Sequence, residues 1–157
     1  MPLEIERKFL VAGGFKEQSF KSYRIIQGYL STDSGRTVRV RLRDGQGFLT
    51  IKGAAEKGGF SRFEWEKEIP ADDARDLLNL CSGRVIDKTR YLVKGPDGHV
   101  FEVDEFHGDN EGLLVAEIEL KSEDEEFLRP DWLGEEVTGD RRYHNSMLLN
   151  NPYVNWK

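Results

Sequence analysis

Glu4, Glu6 and Lys8 are spaced by two residues, the interval that puts side chains on one face of a β-strand, with Leu3, Ile5 and Phe9 on the other. The same alternation recurs along the chain. Arg39, Arg41 and Arg43 oppose Val38, Val40 and Leu42, and Lys52 shares a face with Thr50. Arg62, Glu64, Glu66 and Glu68 oppose Phe63, Trp65 and Ile69, and Lys88 shares a face with Arg90. Glu102 and Asp104 oppose Phe101 and Val103, while Glu117 and Glu119 oppose Ala116, Ile118 and Leu120. Guanidinium forks match the oxygens of phosphates, and carboxylates are hard ligands for divalent cations. A molecule that satisfies both halves at once is a triphosphate with its metals.

An antiparallel sheet with one wet face also alternates, without any function. Three features weigh against that here. Nearly every strand contributes, the charged face lacks the Ser, Thr and Gln that usually dilute a solvated face, and the signs are sorted by strand. Strand 36–43 offers only Arg among its charged residues, and the charged face of strand 113–121 offers Glu117 and Glu119. If the apolar residues pack outward against helices, the charged set lines a tunnel. Left unpaired, such a lining costs several kcal/mol per buried charge.

The elements that must position these residues are read as strands near 3–11, 22–31, 36–43, 47–53, 60–69, 85–94, 99–106 and 113–121. Asp44-Gly45-Gln46-Gly47 and Gly95-Pro96-Asp97-Gly98 are tight turn signals, and Gly53 to Gly59 is a longer hairpin loop. Helices are expected over 71–81 and 140–149, with a short helical turn between Glu123 and Phe127. Eight mostly antiparallel strands in one small domain predict a mainly β (α+β) fold. The expected form is a closed eight-stranded antiparallel barrel with helices packed outside.

The 157 residues suit a single domain spanning 1–157. Charged residues form 33% of the chain, yet 38% is hydrophobic, enough to exclude a disordered chain. The N-terminal stretch has no apolar run of the kind a signal peptide needs, and no membrane span is expected. Cys81 is the single cysteine, so no internal disulfide can form. These points lead to an expectation of a cytoplasmic protein. A net charge of −6 argues against general nucleic-acid binding but leaves a small anionic ligand open. Walker-type phosphate loops are absent, and His99, His107 and His144 lack zinc-ligand spacing. No Ser or Cys sits in an activating motif; Trp65, Trp132, Trp156 and Cys81 read as packing residues.

Glu4-Ile5-Glu6-Arg7-Lys8 resembles the E-x-E-x-K signature of the CYTH superfamily, the triphosphate tunnel metalloenzymes. The likeness continues in order through Gln27-Gly28-Tyr29-Leu30, Arg39-Val40-Arg41, Leu49-Thr50-Ile51-Lys52 and Lys88-Thr89-Arg90-Tyr91. Glu102-Val103-Asp104, Ala116-Glu117-Ile118-Glu119 and Glu135-Glu136-Val137-Thr138 complete it. The chain is most like the compact bacterial inorganic triphosphatases of that superfamily. The resemblance implies an eight-stranded tunnel and metal-dependent hydrolysis of tripolyphosphate to pyrophosphate and phosphate. Class IV-type adenylate cyclase, thiamine or nucleoside triphosphatase, and a non-catalytic triphosphate binder stand as alternatives.

By the same resemblance, Glu4, Glu6, Glu117 and Glu119 would hold Mg²⁺ or Mn²⁺, assisted by Asp104 and Glu64. Lys8, Arg39, Arg41, Lys52, Lys88 and Arg90 would bind the phosphates. Lys8, Lys52, Glu64, Glu66 and Tyr29 are the candidate catalytic residues, with Glu64 or Glu66 positioning the attacking water. Arg43 is expected near the barrel mouth, touching substrate or only solvent. Arg141 and Arg142, on a C-terminal helix, either close one tunnel end or carry surface charge. Arg7, on the face opposite Lys8, is expected outside.

Overall fold

The computed structural model describes residues 3–33, 35–55, 61–81, 85–149 and 151–156, and in these stretches the side chains of 3, 4, 55, 61 and 146 are left out. Nine strands run in the order of the chain: β1 Leu3–Val11, β2 Ser19–Ser31, β3 Arg36–Arg43, β4 Gln46–Ala55, β5 Ser61–Ile69, β6 Ile86–Lys94, β7 Val100–Phe106, β8 Leu114–Leu120 and β9 Leu133–Glu136. Helix α1, Ala71–Leu80, separates β5 from β6, and the short α2, Asn145–Leu148, follows β9. All pairings are antiparallel, in the order β5-β4-β3-β2-β6-β7-β8-β1-β9. β1 also pairs β5 through Leu3–Phe63, Glu4–Arg62 and Ile5–Ser61, which joins the sheet into a ring of eight strands. β9 pairs β1 beyond that short contact, at Phe9 and Val11.

The turns follow from their residues. Asp44 and Gly45 both adopt positive φ, 48° and 87°, and form the two-residue hairpin between β3 and β4. Helix α1 lies over β2, β3 and β4. The approach is so close that a Cβ on Gly47 would fall 2.7 Å from Ala74 Cβ, so only glycine fits there. Val40 and Cys81 are buried in this layer, and Cys81 donates to the Leu77 carbonyl, a plain core thiol. On the other half of the ring, Phe9, Val93, Phe101, Val103, Ala116 and Ile118 pack with Phe15, Trp132 and Leu133. Outward apolar packing frees the opposite strand faces to line the interior. Among the described residues, no helix is long and apolar enough to cross a membrane.

Three elements depart from the sequence reading. The segment 140–149 is a 3-10 turn at Arg141–Tyr143 and then α2, interrupted at His144, whose ψ of 133° is extended. Residues Glu123 to Phe127 form a turn without a helix. β9 carried no recognisable strand signal, having four residues with Gly134 and two acids among them. It is held in place by Arg7, which makes a bidentate pair with Glu136 at 2.6 and 2.8 Å. Arg7 thus lies outside, as its alternation predicts.

Candidate active site

Residues opposite each other in an antiparallel pair project to the same side. Tyr29 stands opposite Arg39 and Gln27 opposite Arg41. Arg39 faces Thr50, Thr50 faces Glu66, and Lys52 faces Glu64. Around the other half, Arg90 faces Asp104, Glu102 faces Glu117, Glu117 faces Lys8, and Glu119 faces Glu6. The alternating charged residues therefore converge on one interior. They enclose a cavity of about 590 Å³. Its lining includes nine Lys or Arg side chains and six glutamates, so a protein of net charge −6 surrounds a net-cationic cavity.

The cationic wall comes from β3, β4, β5 and β6. Glu66 Oε1 accepts from Arg41 at 3.1 Å and from Thr50 Oγ1 at 2.8 Å, which braces β3, β4 and β5 against one another. Lys52 pairs with Glu64 at 3.1 Å. Arg43 lies between two aromatic rings, 4.8 Å from the centroids of both Tyr23 and Phe48. The Nε atoms of Arg39, Arg41 and Arg43 are buried without a hydrogen-bond partner. Burial, then Arg39 and Arg90, depresses the Arg41 guanidinium to about 10. A wall of buried, mutually repelling guanidiniums is arranged to receive an anion.

The carboxylate wall comes from β1, β7 and β8. Glu6 and Glu117 are in hydrogen-bond contact, and each shifts the other's titration. Burial and the neighbouring Glu6 push Glu117 up, while Lys52, Lys8 and Arg62 outweigh burial at Glu6 and pull it down. Glu119 is also raised, by burial and by Glu102 and Glu64. Among the described residues, no three His, Cys, Asp or Glu side chains already form a coordination shell. The donors are nonetheless hard oxygens with surplus negative charge, the chemistry that fits a hard divalent cation.

At the inner end, Asp104 is 2% exposed and both its oxygens are taken. Arg90 binds it at 2.8 and 3.0 Å and Lys88 at 2.7 Å. Beyond them, Ile86, Phe106, Leu113 and Val115 form an apolar cluster with Val137, Tyr143 and Leu148. The C-terminal segment is therefore packed into this end of the ring. Its Thr138, Gly139, Arg141, His144, Asn145 and Met147 line the cavity. Burial and the nearby Lys8, Arg62 and Arg141 depress His144 to about 4.

A CYTH domain model matches residues 2–148 of this chain. The chain belongs to the CYTH family. An inorganic triphosphatase from Acetivibrio thermocellus is 48% identical to it, over 100% of this chain and 99% of the relative. Another, from Nitrosomonas europaea, is 43% identical over 92% of this chain and 95% of the relative. A crystal structure of an inorganic triphosphatase matches with a TM-score of 0.66 and 38% identity, covering 92% of this chain and 96% of that one.

In this CYTH chain the structure brings most of the expected residues to one cavity. Glu6, Lys8, Tyr29, Arg39, Arg41, Arg43, Lys52, Glu64, Glu66, Lys88, Arg90, Glu117, Glu119 and Arg141 all line it. Glu4 stands opposite Arg62 in register, but its side chain lies outside the described residues. Asp104 is not among the residues that line the cavity, and Arg90 and Lys88 engage both its oxygens. Arg142 turns away to pair with Asp140 at 2.8 Å, so of the two C-terminal arginines only Arg141 reaches the cavity.

Sequence reasoning gave no role to Arg62, Thr138, His144 or Asn145. Arg62 shares the face of Glu64 and lies 3.9 Å from Glu6, so its alternation was a usable signal. Thr138 and His144 lie in irregular chain, where no periodicity reports a face, and Asn145 opens the four-residue α2, which is too short to show one.

Proposed function

We propose that this protein hydrolyses inorganic tripolyphosphate to pyrophosphate and phosphate, using Mg²⁺ or Mn²⁺. The observation that carries the reading is one cavity lined by nine Lys or Arg side chains and six glutamates, with Arg39, Arg41 and Arg43 together on one strand and Glu6, Glu117 and Glu119 together on the paired strands β1 and β8. A linear triphosphate carries many oxygens in a short length, and three arginines on one strand present several donors to the same cavity. The inorganic triphosphatase names of the two relatives support the same substrate.

Arg39, Arg41, Arg43 and Lys52 bind the phosphate chain and offset charge that builds on the transferring phosphoryl group. Glu6, Glu117 and Glu119 hold the metal, together with Glu4. When bound, a divalent cation there supplies charge neutralisation and a more acidic water. Glu64, beside Lys52, and Glu66, beside Arg41 and Thr50, both line the cavity and are the two candidates to orient the attacking water. Tyr29 receives a hydrogen bond from Gln27 at 3.0 Å, so its own hydroxyl proton is available to a substrate oxygen.

The test is phosphate release by purified protein given tripolyphosphate, ATP or thiamine triphosphate, each with Mg²⁺ or Mn²⁺ and with a chelator. Metal-dependent orthophosphate from tripolyphosphate, at a higher kcat/KM than from the other two, supports the proposal. Cyclic AMP and pyrophosphate from ATP would replace it with a cyclase. Binding without turnover under either metal would make the protein a triphosphate binder.

A further inference from the structure

The C-terminal segment places two side chains against the lysines of the cavity. Thr138 Oγ1 accepts from the backbone N–H of Lys8 at 2.9 Å, which fixes the strand carrying that lysine. Asn145 acts on a side chain: its Oδ1 accepts from the Lys88 ammonium at 2.9 Å. Lys88 is 1% exposed, and its other contacts are Asp104 at 2.7 Å and the face of Phe106, 5.4 Å from Nζ. Asp104 gives both its oxygens to Arg90 as well, so it holds the ammonium by one shared oxygen only.

An ammonium has three N–H donors on a flexible stem and turns about its last bond unless held twice. Asp104 and Asn145 supply two anchors and leave one donor. We propose that Asn145 is a positioning residue for Lys88, fixing the ammonium so that its remaining N–H meets a phosphate oxygen in the cavity both residues line. The inference rests on the tripolyphosphatase reading. The choice of an amide has a physical reason. Beside Asp104, a neutral second acceptor orients Lys88 without further cancelling its charge, whereas a second carboxylate would orient it and weaken its hold on phosphate.

Asn145→Leu keeps the shape and removes the acceptor; Asn145→Asp keeps the acceptor and adds charge. With tripolyphosphate and saturating metal, Asn145→Leu should lose about ten-fold or more in kcat. Asn145→Asp should hold kcat and raise KM instead. Should Asn145→Leu fail to fold, Asn145→Ala, which only removes atoms, gives the same comparison. Wild-type kcat in the Leu or Ala variant would overturn the proposal, and so would equal loss of kcat in all variants, the pattern of a merely structural role.

The Lys88 ¹⁵Nζ resonance reads the anchor without turnover. A slowly exchanging ammonium signal is expected in the wild type and in Asn145→Asp, and its loss in Asn145→Leu. A signal unchanged in Asn145→Leu overturns the proposal. Failure of the wild type to hydrolyse tripolyphosphate, with the resonances behaving as expected, would instead overturn the enzymatic reading.

Discussion

Glu6 on β1 stands directly opposite Glu119 on β8, two carboxylates facing each other across neighbouring strands inside the ring. Like charges so placed repel. The raised value of Glu119, which comes from burial and then from Glu102 and Glu64, has a defined sign for stability. Its contribution is fully present below the ordinary carboxylate range and is lost as the pH rises through its folded value. At neutral to alkaline pH the metal-free protein therefore carries an electrostatic strain that a cation relieves. Mg²⁺ or Mn²⁺ should raise the melting temperature more at about pH 8 than at about pH 5. Glu119→Gln should raise the metal-free melting temperature, abolish the metal-induced rise and cut turnover by about 100-fold or more. A lower metal-free melting temperature in that variant would show that Glu119 stabilises the empty site.

Arg41 is crowded by Arg39 and Arg90 and largely buried, and a bound polyanion would remove the repulsion. Arg41→Ala should raise KM for tripolyphosphate by about ten-fold or more, a charge-assisted contact being lost. Arg39→Ala, which removes the neighbour on the same strand face, should act in the same direction. Isothermal calorimetry with tripolyphosphate checks the binding term directly. Unchanged affinity in both variants would place these side chains outside the phosphate path.

Much of this arrangement was legible because a strand has period two. The alternation at Arg39, Arg41 and Arg43 assigned a shared face, and the Asp44-Gly45 turn set the register that places Arg39 opposite Thr50. The same rule put Asp104 on the interior face but said nothing of its neighbours. Only the pairing of β6 with β7 sets Arg90 across from it and reveals Asp104 as the partner of two side-chain cations. β9 was illegible for another reason: its place depends on Arg7, more than a hundred residues away in sequence. His144 and Asn145 were read as part of one helix, but the break at His144 lets both reach the cavity.

Asp104 should respond to substitution in the opposite sense from Glu119. Its carboxyl is held far below the ordinary range because Arg90 and Lys88 outweigh the cost of burial. Such a group contributes stability above its unfolded value and loses it as the pH falls through its folded value. Asp104→Asn leaves two buried cations without their counter-ion and should cost about 3–5 kcal/mol. Urea denaturation at neutral pH measures this. A midpoint within error of the wild type would mean that the cluster is solvated enough to do without the charge.

His144 is depressed to about 4 from the ordinary 6.5 of an imidazole, first by burial and then by Lys8, Arg62 and Arg141. Between those two values the unfolded chain binds a proton that the folded chain refuses, so stability falls as the pH drops through this window. Bound tripolyphosphate reverses the local field: anionic oxygens beside Lys8 and Arg141 favour the imidazolium. Binding should therefore draw a proton from solution at mildly acidic pH. Calorimetry in two buffers of different ionisation enthalpy reads that proton as a difference in heat. His144→Gln should abolish the difference and flatten the acid slope of stability, leaving the cation–phosphate contacts in place. Equal heats in both buffers with the wild type would mean that His144 stays neutral throughout, a wall of the cavity that the substrate's charge does not reach.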